Sequence, residues 1–389
     1  MKVFHCQNCQ QTVFFENTNC THCGHALAFL PDTLEIAALD PQEGDHWVSM
    51  APASKGQHYR LCANYLDHQV CNWAVPADSH DTLCVSCQLT RVLPNLETPG
   101  NLEAWRKLET AKRRLLYTLL ALGLPVRNRR EDPDHGLAFD FLSDELAAAG
   151  PVLTGHDEGV ITINIAEADD VEREKRRVAL HEPYRTLLGH FRHEVGHYYW
   201  DELIRGSDRL QAFRALFGDE STDYAAALQQ HYQDGASSNW ADQYVSNYAS
   251  SHPWEDWAET WAHYLHMVDA LDTADACGLH LQPQRDDEPA LQAEAGAVVP
   301  TEPRGFDRTI SDWLALTYAL NNLSRSLGQP DSYPFVLQPP VIEKLRFIHD
   351  SLPQPGATVA VPAPEAQVEV SAQPAPPVAA ANGPQAVAA

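Results

Sequence analysis

Isoleucine recurs at every second position of the stretch VITINIAEAD, with Ile161, Ile163 and Ile165 on one face and Thr162 and Asn164 on the other. That alternation predicts a half-buried strand from Val160, because successive strand residues point to opposite faces. The shorter LAFDFL, Leu137–Leu142, predicts a second strand. Elsewhere the apolar spacing is helical. From about Leu102 to Leu122, the residues Leu102, Trp105, Leu108, Leu115, Tyr117 and Leu119 supply apolar faces. Arg106, Lys107, Lys112, Arg113 and Arg114 form a basic face that reads as solvated. Asn101 is placed to cap this helix, and Gly123 with Pro125 closes it. A long helical region follows from about Val171 to Arg205, interrupted near Pro183. Further helices are expected at about Asp208–Leu216, Thr222–Gln233, Trp254–Leu271, Asp307–Leu327 and Pro340–Leu352, with a polar, proline-rich loop from about Leu281 to Pro303.

Composition sharpens this picture at the two ends of the chain. The final segment, residues 353–389, has no Lys, Arg, aromatic, Leu or Ile, so it cannot bury enough apolar surface to offset its ordering entropy and is expected to be disordered. The 389 residues carry a net charge of −26, which disfavours nucleic acid and anionic membranes as partners. No run of apolar residues is long enough for a membrane span, and MKVFHCQNCQ lacks the apolar core of a signal peptide, so a cytoplasmic protein is expected.

In such a compartment nine cysteines point to metal or thiol chemistry, not disulfides. Cys6, Cys9, Cys20 and Cys23 form two C-x2-C knuckles, each of which turns two thiolates toward one point. This predicts a structural zinc ribbon. Cys62, Cys71, Cys84 and Cys87 form a second quartet with one knuckle, predicting a second structural zinc site in which His58, His68 or His80 could replace one ligand. Cys277 stands apart as a small buried or loop residue. Residues 1–100 hold four basic and ten acidic side chains, so the ribbons carry no electrostatic footprint for phosphates. A structural or protein-docking role fits them better.

The stretch HFRHEVGHYYWDELI contains H-E-x-x-H at His193, Glu194 and His197. On a helix, positions i and i+4 share one face, so both imidazoles reach one zinc ion and Glu194 reaches the water beside it. A catalytic zinc takes a third protein ligand and keeps one position open. The candidates lie in NYASSHPWEDWAETWAHYLHM. There Pro253 suits a first helical turn, Trp254, Trp257, Ala258, Trp261 and Leu265 make an apolar face, and Glu255 and Glu259 stand four apart beside it. Two carboxylates so placed repel unless a cation lies near. We assign Glu255 as third ligand and Glu259 as the group that orients a ligand histidine, with the reverse assignment open. His190 reads as a surface or packing residue, and HEPYR at His181 lacks a second histidine because Arg185 occupies that position.

These motifs together resemble the bacterial family of zinc-binding metallopeptidases with an N-terminal zinc-ribbon region, over about residues 1–350. The active-site segment is also similar to that of the anthrax lethal factor metalloprotease, in which H-E-x-G-H is followed by E-x-x-A-E with a tyrosine seven residues before it. The matching positions are His193, Glu194, Gly196, His197, Glu255, Ala258, Glu259 and Tyr248. That likeness implies zinc ligation by Glu255 and transition-state stabilisation by Tyr248. The segment departs from the N-E-x-x-x-D form of thermolysin-like enzymes, because Glu259 stands where they have aspartate.

The expected protein is α+β: a zincin-like metallopeptidase domain with a small mixed sheet and a helical C-terminal subdomain, preceded by four-cysteine zinc-ribbon modules. The boundaries are expected at residues 1–31 for the zinc ribbon, 32–96 for the second module, 97–352 for the metallopeptidase domain and 353–389 for the tail. One catalytic and two structural zinc ions are implied. The expected function is hydrolysis of peptide or protein substrates, with Glu194 as general base and Tyr248 beside the developing oxyanion. The strand Ile161–Ile165 is expected to be a sheet edge to which an extended peptide adds. The alternative is a non-catalytic zinc scaffold that recognises a protein partner through its ribbons.

Overall fold

A computed structural model describes residues 1–144, 152, 154–179, 185–282, 293–294 and 305–353. Residues 181–184 of the HEPYR stretch, most of the proline-rich loop and the tail after residue 353 lie outside the described residues.

The chain opens with a two-stranded ladder, β1 (Phe4–His5) and β2 (Thr12–Val13), which holds the first cysteine knuckle. An antiparallel meander follows: β3 (Ala26–Leu30), β4 (Glu35–Pro41), β5 (His46–Ser49), β6 (His58–Leu61) and β7 (Ala74–Pro76), in that spatial order. The meander curls until Phe29 bridges Trp73 at its far side, and both rings are fully buried. β3 and β4 pair across the junction expected near residue 31, so one sheet runs from just after the Cys20–Cys23 knuckle through the strands that flank Cys62 and Cys71. The short helices α1 (Ala63–Leu66) and α2 (Val85–Gln88) begin directly after Cys62 and Cys84.

The remaining helices and strands are β8 (Thr90–Val92), α3 (Asn101–Ala121), β9 (Ala138–Leu142), β10 (Gly155–Asp157), β11 (Val160–Asn164), α4 (Asp170–Ala179), α5 (Leu187–Leu203), α6 (Leu210–Phe217), α7 (Tyr224–Asp234), α8 (Pro253–Ala276), β12 (His280–Leu281), β13 (Ala293–Glu294), α9 (Phe306–Ser326) and α10 (Pro339–Ser351). The expected mixed sheet is present. Its order is β10-β11-β9-β8, with β11, β9 and β8 parallel and β10 antiparallel at the edge. Ile161 and Ile163 line up with Phe139 and Phe141 on a fully buried face, and Phe191 of α5 packs there, 5.6 Å from Phe139 between ring centroids. One hydrophobic core runs from Met1 to Leu352, and Phe15 meets Tyr117 of α3 edge-on at 5.7 Å, which joins the cysteine-bearing region to the helices. Among the described residues, no helix is long and apolar enough to cross a membrane.

Three expectations fail here. β11 is not an edge, because β10 covers its outer side from Val160 to Thr162. The basic face of α3 is not wholly solvated: Lys112 is fully buried, 2.8 Å from the equally buried Glu109 and 5.5 Å from the Phe139 and Phe141 rings. Arg113 is also buried. A paired, hydrogen-bonded charge tolerates such a site, and the aromatic faces favour a cation there. Finally, Gly100, at φ +92°, takes the position before α3, while the Asn101 side chain donates to the Asn95 carbonyl instead of capping.

Candidate metal centre

Two helices build the site. α5 starts at Thr186, whose hydroxyl accepts from the Gly189 N–H at 3.0 Å. α8 starts with Pro253 in its first turn, and His252 caps it by accepting from the Trp254 N–H at 3.1 Å. The helices cross where α5 has no side chain. A β-carbon on Gly196 would lie 3.0 Å from the Ala258 Cα and 3.2 Å from two Trp261 atoms. The Trp257 indole N–H donates to the Gly196 carbonyl at 2.8 Å and fixes the register.

That crossing brings His193, His197 and Glu255 together, with a potential ligand atom from each within 4.8 Å of the others. The His193 Nε2 lies 3.1 Å from the Glu255 Oε2, and the His197 Nε2 lies 3.6 Å from the Glu255 Oε1. All three side chains are buried. The His193 Nδ1 is 2.7 Å from the Glu259 Oε1, so a proton is held on Nδ1 and the Nε2 faces the centre. Glu259 therefore sits behind His193, and Glu255 faces both imidazoles. The other Glu259 oxygen accepts from the Ser246 hydroxyl at 2.6 Å, and Ser246 accepts from the Ala249 N–H at 3.0 Å.

Without an ion, the charges in the cluster favour a proton on His193, a positive charge that a metal ion would replace. Burial opposes protonation of His193, yet the Glu255 and Glu259 carboxylates hold its pKa well above the usual imidazole range. Burial likewise opposes ionisation of Glu255, and the two histidines still hold it well below the ordinary carboxylate value. The buried Glu255 Oε2 and His197 Nδ1 have no hydrogen-bond partner among the described residues. A carboxylate oxygen that faces imidazole nitrogens is satisfied by a proton or by a metal ion between them, and two imidazoles with one carboxylate suit zinc.

Glu194 is buried beside the cluster, and His190, expected at the surface or in packing, has its Nε2 3.9 Å from the Glu194 Oε1 and its Nδ1 3.7 Å from Glu167. Tyr248 opens a short 3-10 turn, Tyr248–Ser251, with its ring 5.9 Å from that of His193. Burial, then the Glu255 charge, raises its phenol well above the ordinary value, so it remains a hydrogen-bond donor. Sequence reasoning missed four contributors. Tyr224 donates to the Glu255 Oε1 at 2.7 Å, Ser246 holds Glu259, and the His156 ring stacks on His197 at 6.2 Å. His252 joins two helix starts, since its Nε2 donates to the Thr222 carbonyl at 3.2 Å.

Both cysteine quartets converge as expected, each with its thiols within 4.8 Å of one another. Cys6 and Cys23 are 3.6 Å apart, as are Cys9 and Cys20, and Cys71 and Cys84 are 3.7 Å apart. A zinc ion with four Zn–S bonds of about 2.3 Å separates its sulfurs by about 3.8 Å, so the thiols already stand at zinc spacing. Hydrogen bonds from Asn8 and from the His25 backbone lower the Cys23 thiol to about 5. None of the three histidines weighed as substitutes is needed for a set of four, and His68 packs against Trp105 at 5.4 Å. Cys277 ends α8 and is exposed.

A family profile described as "Putative zinc-binding metallo-peptidase" matches residues 101–351, and a zinc-ribbon domain profile matches residues 3–98. Uncharacterized proteins of Mycobacterium bovis and of two Mycobacterium tuberculosis strains are 47% identical over 350 residues, covering 90% of this chain and 94% of each relative. No solved structure matches. With its α+β architecture, its ribbon region and a profile match over most of the helical part, the chain belongs to the zinc-binding metallopeptidase family.

Proposed function

We propose that this chain is a zinc-dependent peptidase that hydrolyses peptide bonds in peptide or protein substrates. His193, His197 and Glu255 would hold the catalytic ion, and the two cysteine quartets would each hold a structural one. Zinc, when bound, supplies a Lewis acid that polarises the scissile carbonyl and brings the pKa of a coordinated water toward neutrality. Glu194 takes the proton of the attacking water and returns it to the leaving amine. The Tyr248 hydroxyl donates to the oxyanion that develops on the carbonyl, a contact worth roughly 3 kcal/mol in other enzymes. Glu259 keeps His193 in the tautomer that presents Nε2, and Ser246 keeps Glu259 in place.

One observation carries the reading: the buried Glu255 Oε2 stands 3.1 Å from the His193 Nε2, while Glu259 holds the Nδ1 on the far side of that ring and the His197 Nε2 lies 3.6 Å from the other Glu255 oxygen. The test pairs metal analysis with peptide-library cleavage. Wild type should hold about three zinc ions, and Glu194→Gln should retain them while losing cleavage. If wild type and Glu194→Gln are equally inert on broad libraries, the zinc-scaffold alternative replaces the enzyme.

A further inference from the structure

The proposed mechanism leaves α7 without a task, although its first residue reaches the proposed metal ligand. α7 has no fully buried side chain, and glycines with left-handed φ bracket it: Gly218 at +105° and Gly235 at +74°. It starts against α8, where His252 bonds to Thr222 and caps α8 with its other ring nitrogen. From there the Tyr224 hydroxyl donates to the Glu255 Oε1 at 2.7 Å.

We infer that Tyr224 is a positioning residue: by holding one Glu255 oxygen it leaves the other, Oε2, as a single ligand oxygen, and it ties α7 to the loaded metal centre. The asymmetry between the two oxygens supports this. Oε1 is hydrogen-bonded, whereas Oε2 is buried with no partner among the described residues and lies nearer to an imidazole nitrogen, 3.1 Å against 3.6 Å for Oε1. A carboxylate with both oxygens free can bind zinc through two atoms and crowd the position a substrate carbonyl needs. A phenol on one oxygen removes that option. Hydrogen bonds behind zinc ligands typically change metal affinity by about 10–100-fold. The Tyr224 ring meets His252 and Trp254 edge-on, at 5.1 Å and 6.3 Å, contacts that phenylalanine also makes, while its hydroxyl also interacts with Tyr248.

This inference rests on the peptidase reading of the centre, and its test separates the two. The full-length protein and Tyr224→Phe are titrated with a competing chelator while zinc content is followed, and amide exchange is measured over residues 219–235 with and without the third zinc. The expected result is a third zinc bound about ten-fold or more weakly in Tyr224→Phe, with the two cysteine-held ions unchanged. Zinc-dependent protection of residues 219–235 should also be lost, and excess zinc should restore turnover. A wild type with only two zinc ions overturns the centre itself and this inference with it. A wild type with three, and a Tyr224→Phe of equal affinity, overturns only the inference. So does a lower turnover at unchanged affinity, which would make Tyr224 a direct donor to the reacting atoms, or equal destabilisation with and without the third zinc, which would make its role generally structural.

Discussion

Gly196 and Ala258 meet where α5 crosses α8, so closely that a β-carbon on Gly196 would come within 3.0 Å of the Ala258 Cα. Backbone on one side and Trp261 on the other are tight against the extra atom, so the crossing or the Trp261 ring has to give by a few tenths of an ångström. Overpacking of this kind costs about 1–3 kcal/mol. Gly196→Ala is therefore expected to lower the unfolding free energy measured in urea by that amount. It should also weaken the third zinc more than the cysteine-held ions, because the crossing sets the distance from His193 and His197 to Glu255. Full zinc affinity in a destabilised Gly196→Ala protein would show that the crossing does not control the centre.

The contacts behind that crossing separate what the sequence discloses from what it hides. His193 and His197 are legible because an i, i+4 pair needs only one helix, and Glu255 because Pro253 and the tryptophans mark a second. Their convergence depends on Gly196, whose absence of a side chain says nothing of its neighbour. Tyr224 and Ser246 meet the site from a separate helix and a loop, through tertiary contacts that no periodicity encodes. β11 reads as an edge because its partner β10 is Gly-His-Asp, too short and too polar to announce a strand. Lys112 and Arg113 look solvated because helical spacing locates a face but not what covers it; here the sheet and the Val70 carbonyl do.

Glu255 and Glu259 are expected to separate cleanly on mutation. Glu255→Ala removes the carboxylate that faces both imidazoles and should abolish the third zinc. Glu259→Ala removes only the acceptor at the His193 Nδ1, and should weaken that zinc by about 10–100-fold without abolishing it. Elemental analysis after graded dialysis reads both. Loss of the ion from Glu259→Ala alone would exchange the two roles.

Lys344 clamps the C-terminal helix to the site. Its ammonium is 2.6 Å from Asp256, donates to the Gln243 carbonyl at 2.8 Å, and lies 4.3 Å from the centre of the Tyr244 ring. The Asp256 side chain is fully buried, and burial pushes its pKa up to about 7 even with Lys344 alongside. Lys344→Met leaves that carboxyl without its partner, a change that costs about 3–5 kcal/mol for buried pairs. Lys344→Met with Asp256→Leu should recover most of the loss, because the pair's desolvation cost disappears with it. A double-mutant cycle in urea measures this, and strictly additive effects would mean that the two groups act independently.

His263 sets an acid limit on stability. Its Nδ1 is 2.7 Å from the Tyr333 hydroxyl, its ring lies edge-on to Phe335 at 4.4 Å, and burial lowers its pKa to about 4 from 6.5, against the opposing Glu259 charge. Above pH 6.5 the imidazole is neutral in both folded and unfolded chains, so its titration contributes nothing. Between about 6.5 and 4 the unfolded chain binds a proton that the folded chain refuses, and stability falls as the pH falls. The loss levels off below about 4, after a total on the order of 3 kcal/mol. In His263→Gln no proton can bind in either state, so the variant should trail wild type at neutral pH and close the gap as the pH drops toward 4. Zinc release in acid affects both proteins, and the difference between their urea midpoints isolates the imidazole. A gap that stays constant across this range would mean that His263 titrates normally in the folded protein.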